Sequence, residues 1–284
     1  MNGRLLCSVI VPTYNRARLL DYTLASLLRQ SINVQQFEVL VVDDGSSDST
    51  PDVVEQYSSY LTLRYFTQQD AGYRAAKARN VGIANASSDI CVFLDCGVIA
   101  HSECLRAHVN VHAAQSCSTA VCGYVYGLSF DDHDADAIRK GIDLTRLDEE
   151  LAGLSLASRW EDPRETFYRK YSDSFGGLPA PWVVYWTCNA SARTSQLCEV
   201  GMFDEAYRSW GAEDIDLGYR LHRAGTRFVL SREAASLHWP HPKDRAANTA
   251  SVMDNYAYFR LTYDDPAVRL VGRVPLFELN DLLL

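Results

Sequence analysis

Five acidic residues stand where a chain could do chemistry: Asp43 and Asp44, Asp95, and Glu213 and Asp214. Asp95 ends the run Ile90-Cys91-Val92-Phe93-Leu94 and is followed by Cys96 and Gly97. Five apolar residues without alternation predict a strand buried on both faces, in the middle of a parallel sheet. In open α/β sheets the ligand crevice lies beyond the carboxyl ends of the strands. Asp95 is therefore placed where a ligand or metal is met. Asp43 and Asp44 end a second stretch, residues 37–42, which is apolar but for Glu38, and precede Gly45-Ser46-Ser47. Carboxylates there can accept hydrogen bonds from a base N–H or from ribose hydroxyls; the structural alternative is a strand-to-helix turn with Asp as a local cap. Pro12, Thr13, Tyr14 and Asn15 end the run Ser8-Val9-Ile10-Val11 and would supply backbone groups to the same ligand. Glu213 and Asp214 open a helix that stops at Gly225. The helix dipole gathers acidic residues at such a start. That accounts for the charge but not for Trp210 and Gly211 before it, an aromatic face and a tight turn.

These residues need a frame. Residues 8–11 read as a short buried strand, followed by a helix with Leu20, Leu24, Leu27 and Leu28 on one face. After the strand at 37–42, Thr50 caps a helix with Pro51 in its first turn. Residues 61–66 alternate like a strand nearer an edge, and 75–86 are helical. Four strand–helix alternations in about a hundred residues predict an α/β fold with a parallel, right-handed sheet. The later chain is less regular. It reads as a helix at 101–114, a strand at 119–128, and charged surface helices with a mobile loop over 131–181. A strand at 183–186, a short helix at 194–199 and a strand at 228–230 follow. His238-Trp239-Pro240-His241-Pro242 reads as a rigid loop, and the tail from Ala246 mixes helix with an apolar end.

Taken in order, Val9 to Arg16, Val41 to Asp48 and Phe93-Leu94-Asp95 resemble the opening of the family-2 inverting nucleotide-sugar glycosyltransferases. Val200 to Glu205 and Trp210 to Leu217 resemble the acceptor half of galactosyl- and N-acetylgalactosaminyl-type members. The ordered combination is specific and covers about residues 8–240, whereas each piece alone is weak. The resemblance implies a GT-A fold, a Rossmann-like and mostly parallel sheet flanked by helices. It implies one domain with a nucleotide-sugar half at 1–115, an acceptor half at 116–245 and a tail at 246–284 packing on it. It also implies a UDP-sugar donor and a divalent metal, Mn2+ or Mg2+. Asp44, with Asp43, would hold uracil and ribose. The segment starting at Gly72 would lie beside the nucleotide, and Lys77 and Arg79 become diphosphate candidates because cations, and guanidinium forks above all, meet phosphate oxygens. A solvated helix face is the alternative, chiefly for Lys77. Asp95 would be the first aspartate of the family's Asp-x-Asp motif; the second is replaced by Gly97, so a metal must lean on Asp95, the phosphates and a downstream residue. His238 is that candidate and His241 the second choice; Cys96, near the donor, more readily points into the core. Asp214 would be the base that takes the acceptor proton. Glu213, Trp210 and Gly211 would bind the acceptor, and Asn189 would lie near the donor sugar.

Composition narrows the partners. A net charge of -9 argues against a nucleic-acid binder. No apolar run approaches the length of a membrane span, which leaves only peripheral association with a membrane. Met1-Asn2-Gly3-Arg4 leads directly into a strand, so no signal peptide is expected. Eight cysteines without a CxxC pair indicate reduced thiols in a cytoplasmic protein. The acceptor (glycan, lipid-linked sugar, small molecule or peptide) and the oligomeric state are not fixed by the residues. A sugar-nucleotide-binding protein without catalysis, or a scaffold of a glycan or natural-product assembly complex, is the competing expectation.

Overall fold

Apolar runs that the sequence places in strands do form the centre of a sheet. The computed structural model describes residues 4–129 and 132–284; the expectation about the first three residues, and the first residue of the 131–181 stretch, lie outside the described residues. Strands β1 (Cys7–Thr13), β2 (Phe37–Asp43) and β3 (Leu63–Thr67) alternate with helices α1 (Ala17–Leu27), α2 (Thr50–Ser58) and α3 (Ala75–Asn85) before β4 (Ile90–Leu94). β1 pairs in parallel with both β2 and β4, and β2 with β3. Every residue of β2 and β4 is buried, as expected for strands covered on both faces.

A short β5 (Val98–Ala100) and α4 (Cys104–Ala114) follow, then β6 (Thr119–Tyr126), α5 (Ala135–Gly141), α6 (Leu147–Ala157) and α7 (Glu165–Tyr171). β7 (Asn189–Arg193), α8 (Thr194–Glu199), α9 (Glu213–Arg223) and β8 (Arg227–His238) complete the sheet; α10 (Arg245–Thr262) and α11 (Pro266–Leu270) pack beyond it. The strand order is β3-β2-β1-β4-β7-β6-β8-β5. β7 runs antiparallel to both neighbours, and β5 antiparallel to β8. The second half is therefore mixed where the first is purely parallel. The chain goes from β1 outward to β2 and β3, then returns to place β4 on the other side of β1. That reversal is a topological switch point, and it opens a crevice at the carboxyl ends of β1 and β4.

Several sequence expectations need correction. Residues 183–186 are not a strand: Pro181–Val184 form a 3-10 turn, wholly buried, and the strand begins at Asn189. A short apolar run cannot be told from a buried helical turn by periodicity. β8 extends over twelve residues, because Arg232 and Glu233 sit at exposed strand positions beside a register shift opposite Gly123 and Tyr124. His238 is thus the last residue of a strand, not part of the loop after it. The 131–181 stretch is not all surface: Leu147, Leu151, Leu154, Phe167 and Tyr168 enter the core, and Asp162 and Arg164 form a fully buried ion pair. Thr50 is the first residue of α2 and not its cap; its hydroxyl donates to Asp48. All eight cysteines are free, and no helix among the described residues is long and apolar enough to cross a membrane.

Candidate functional site

Asp44 and Asp95 leave the sheet two strands apart, about 10 Å at ordinary strand spacing. Between them Asn15, at a positive φ of 50°, accepts from the Ser47 backbone N–H at 2.7 Å while its own N–H donates to the Ser46 hydroxyl. The ends of β1 and β2 are thereby tied into one rim. Asp44 is buried and accepts from the Arg74 guanidinium at 2.8 Å, the Arg74 backbone N–H at 2.8 Å and the Gln68 amide at 2.6 Å. Tyr14 donates to Asp70 at 2.9 Å, and Asp70 accepts from the Gly72 N–H. Residues 68–74 thus lie as a strap along the rim.

Arg79 is the hub of the crevice. α3 approaches β1 closely because Gly82 has no side chain; a Cβ there would come within 2.5 Å of Ile10. This close packing carries Arg79 to the carboxyl edge of the sheet. Its guanidinium donates to Asp95 at 2.8 Å and to Glu213 at 3.1 Å, lies 3.8 Å from Asp214, and stacks over Phe203. Burial works against its charge, and Asp95, Asp214 and Glu213 outweigh that. The adjacent Asn80 accepts from the Phe203 N–H and donates to the Phe203 carbonyl and to Glu205. One helix turn therefore fastens the early strands to the later half of the chain.

The acidic pair is delivered by a strained turn. Gly211 has φ 97° and Ala212 φ 75°, and an Ala at the left-handed position costs about 1–2 kcal/mol. The turn points Glu213 into the interior, where Oε1 meets Arg79 and the Tyr73 hydroxyl, and buried Oε2 has no hydrogen-bond partner. Asp214 is 23% exposed. It accepts from the Thr187 N–H at 3.2 Å and from the Thr187 hydroxyl. Burial, then the charge of Glu213, raises its carboxyl above the ordinary range, opposed by Arg79 and the Thr187 hydrogen bond. Asp216 is fully buried, bonded to Arg220 and Tyr207. Trp210 is half exposed beside the pair, and its carbonyl accepts from Ser251 on α10.

On the other side of Asp95, Gly97 takes a positive φ of 98°, and its carbonyl accepts the Trp239 N–H at 2.9 Å. The residue that replaces the motif's second aspartate is thus a backbone junction for the loop after β8. His238 is buried with Nδ1 unpartnered, and its ring lies 5.2 Å from that of His241. Burial, with Arg16 next, holds His241 down at about 4; burial and Lys243 hold His238 well below its usual value. The two rings differ in what they leave open: His241 Nε2 meets the Arg16 guanidinium at 3.0 Å and its Nδ1 the Pro242 carbonyl at 3.0 Å, whereas Nδ1 of His238 has no partner. No group of three His, Cys, Asp or Glu side chains among the described residues is arranged to hold a metal.

The crevice gathers Asp95, Glu213 and Asp214 around Arg79, with Asp44 two strands away in the hold of Arg74 and Gln68, Tyr14, Asn15 and Gly72 along the rim and Pro12 half-buried in β1. It does not include the side chains of Asn189, Cys96, Thr13 or Asp43. Asn189 is wholly buried, its amide bonded to His108, Ser236 and the Ala234 carbonyl. Thr13 donates to the Cys96 sulfur, and both face the core. Asp43 is taken up by its own turn, accepting from Ser46 and Tyr65, as the local-cap reading has it. Lys77 is half-buried without a hydrogen bond or ion pair among the described residues. Tyr73, Arg74 and Thr187 escaped sequence reasoning as individual residues. The first two lie inside the segment starting at Gly72, and Thr187 was hidden by the misplaced strand.

Comparison with known proteins fits this geometry. The glycosyl transferase family 2 model matches residues 8–173, and a model described as the N-terminal domain of galactosyltransferase matches 169–241. The chain is 38% identical over 251 residues to validoxylamine A glucosyltransferase of Streptomyces hygroscopicus subsp. jinggangensis, covering 88% of this chain and 59% of the relative. It is 28% identical to the chondroitin synthase of Escherichia coli, covering 96% of this chain and 41% of that protein. This chain therefore spans little more than half of the first relative's length, and less of the synthase. Among solved structures, residues 1–349 of Staphylococcus aureus TarS in complex with UDP-GlcNAc superpose with TM-score 0.64 at 20% identity, covering 98% of this chain and 70% of that one. The mannosyltransferase PcManGT of Pyrobaculum calidifontis, in complex with GDP-Man and Mn2+, gives 0.65 at 19%, covering 99% and 68%. These likenesses establish the GT-A arrangement of the sheet. With more than half of its length matched by the family model, the chain belongs to glycosyl transferase family 2.

Proposed function

We propose that this chain is an inverting glycosyltransferase that moves a sugar from a UDP-sugar to an acceptor nucleophile, with Asp214 as general base. The observation that carries this reading is the bridge by Arg79 from Asp95 to Glu213 and Asp214, which puts carboxylates from both halves on one crevice. Asp44 and Arg74 hold the base and ribose on the β2 side; the early strands serve the nucleotide, the later chain the acceptor, and the tail packs on the latter. An acceptor hydroxyl on Trp210 and Glu213 gives its proton to Asp214 as its oxygen bonds to the anomeric carbon. The bond from that carbon to the phosphate oxygen breaks, and the nucleoside diphosphate leaves with the electron pair. A single displacement inverts the anomeric centre. Thr187 fixes the base, and Arg79 orients the carboxylates around it.

A divalent cation, Mn2+ or Mg2+, would be held by Asp95 and the donor phosphates, with the unpartnered buried nitrogen of His238 as the further candidate donor. Such an ion supplies charge neutralisation to the leaving diphosphate. Gly97 favours a second reading, a sugar-nucleotide-binding protein that does not turn over. Incubation with UDP-glucose and UDP-GlcNAc, with and without Mn2+, across an acceptor panel separates the two. The enzyme releases UDP and yields product of inverted anomeric configuration by NMR. Binding without release on any acceptor supports the second reading, and retained configuration overturns the single displacement.

A further inference from the structure

α10 lies beyond the residues that either family model matches, 8–173 and 169–241, so the family assignment gives it no role. Asp244 caps its start by accepting from the Ala247 N–H at 3.0 Å. Ser251, Asn255 and Tyr258 follow at the spacing of one helix face. All three meet the segment that leads into α9. The Tyr258 hydroxyl donates to Asp204 at 2.8 Å, and the Ser251 hydroxyl to the Trp210 carbonyl at 3.0 Å. Val252 closes on Gly211 from the same helix.

Asn255 and Phe259 are the buried residues of α10. A buried carboxamide needs hydrogen-bond partners, and this one finds an unusual set. Its nitrogen lies 3.2, 3.3 and 2.7 Å from the carbonyl oxygens of Ser209, Trp210 and Gly211, and its Oδ1 accepts from the Ser209 hydroxyl at 3.2 Å. Three successive carbonyls thus converge on one NH2 group, whose two N–H bonds serve all three. The convergence follows from the backbone of the turn, where Gly211 and Ala212 both take positive φ. The hydrogen-bond ladder of α9 starts only at the Ala212 carbonyl, which accepts the Asp216 N–H at 3.0 Å. The three oxygens before it need partners from outside the helix. Dipoles aimed at one point repel each other unless a donor sits among them.

We propose that Asn255 is a positioning residue: its carboxamide gathers the carbonyls of residues 209–211 and so fixes the entry into α9 and the place of Trp210 beside the acidic pair. Glu213 and Asp214 each have a further hold, in Arg79 and Thr187. The Trp210 side chain has no hydrogen bond or ring partner of its own among the described residues. Loss of Asn255 therefore displaces Trp210 more than the base. The consequence for transfer rests on the reading of Trp210 as acceptor platform; the hold on the turn does not.

Fluorine NMR of the full chain labelled with 5-fluorotryptophan reads the turn without any substrate. The chain has five tryptophans, and Trp210→Phe assigns one line to Trp210. Asn255→Leu, similar in size and unable to donate, should shift or broaden that line while the other lines hold, and Ser251→Ala should do so to a lesser degree. Tyr258→Phe, which loosens α10 at Asp204 and not at the turn, should leave it in place. With UDP-glucose or UDP-GlcNAc and an acceptor that the wild type turns over, Asn255→Leu should raise the acceptor KM about tenfold or more and lower kcat by less. UDP affinity by calorimetry should stay within about twofold. An unchanged Trp210 line or an unchanged acceptor KM, with only the melting temperature lowered, is a purely structural role and overturns the proposal. So does a Trp210 line that moves equally in Tyr258→Phe. Should Asn255→Leu lose the dispersion of all its lines, Ser251→Ala decides, and a wild-type Trp210 line in that variant overturns the proposal. A Trp210 line displaced in Asn255→Leu, with no transfer by the wild type to any acceptor, leaves the turn held as proposed and sinks the transferase reading.

Discussion

Asp214 combines three properties that a base in this crevice needs. It is reachable, it is held by Thr187, and its proton affinity is raised by burial and by Glu213. A base with a raised pKa loses activity as pH falls, over a window above the ordinary carboxylate value of about 4. The rate of sugar transfer should therefore decline on the acid side well before a solvent-exposed aspartate would protonate. Asp214→Asn should lower turnover by about 10²-fold or more with little change in UDP affinity; collapse of UDP binding instead would mean that Asp214 holds donor and not acceptor. Arg79 acts differently. Replacing it by Met leaves Glu213 buried without its cation, a loss on the order of 3 kcal/mol, so Arg79→Met should lower both the urea midpoint and the rate. A variant of native stability that simply binds UDP less well would place Arg79 on the phosphates.

At the scale of elements, the turn into α9 is the weak point that sets the site. Gly211 sits at a φ where side chains are strained, and a Cβ would lie 2.9 Å from Val252 on α10. Gly211→Ala should destabilise the fold by about 1–3 kcal/mol and displace Glu213, seen as a lower melting temperature together with a slower rate. A second device lies under the sheet, where α4 faces β7. His108 bonds Ser191 and Asn189, and His112 shares Ser191. Burial holds them down at about 4 and about 3. Their folded values lie below the unfolded value of about 6.5, so the unfolded chain takes up protons first. Stability should fall as pH drops below about 6.5, by up to about 1.4 kcal/mol per pH unit for each histidine. Urea unfolding between pH 7 and 5 measures it, and His112→Gln should make the slope shallower by about one proton.

Across the whole molecule, the early strands and the later helices meet at the crevice through α3, whose Arg79 and Asn80 hold α9 and the segment at Phe203. A donor lying against Asp44 and Asp95 and facing Asp214 would touch both halves and stabilise the native state by mass action. At a hundred times its dissociation constant the gain is about 2.7 kcal/mol. Thermal unfolding should shift upward by several degrees with UDP in a single transition, and further with Mn2+ present. Two transitions, of which UDP moves only one, would show that the halves unfold separately.

The sequence by itself determined the parallel half of the sheet, since largely apolar runs, those of β1, β2 and β4 soon followed by Asp or Asn, leave little choice of element, and it determined that the acidic residues stand at strand ends and at a helix start. It could not determine the direction in which those residues point. Asp43 and Asp44 are neighbours of one type, yet they take different partners: the Ser46 turn and Tyr65 engage Asp43, while Arg74 and Gln68 engage Asp44. Asn189 follows the apolar stretch as expected, but β4 and β6 on either side of β7 turn it toward His108. Arg164 takes its counter-charge from Asp162 two residues away, but its burial also needs the distant Val184 and Gly123 carbonyls, and the bridge by Arg79 needs the distant Glu213. Local pattern fixes which face of an element is apolar, whereas the partner of a buried charge is fixed only when elements pack, because desolvation forces each charge to take whatever opposite group the tertiary fold brings within reach.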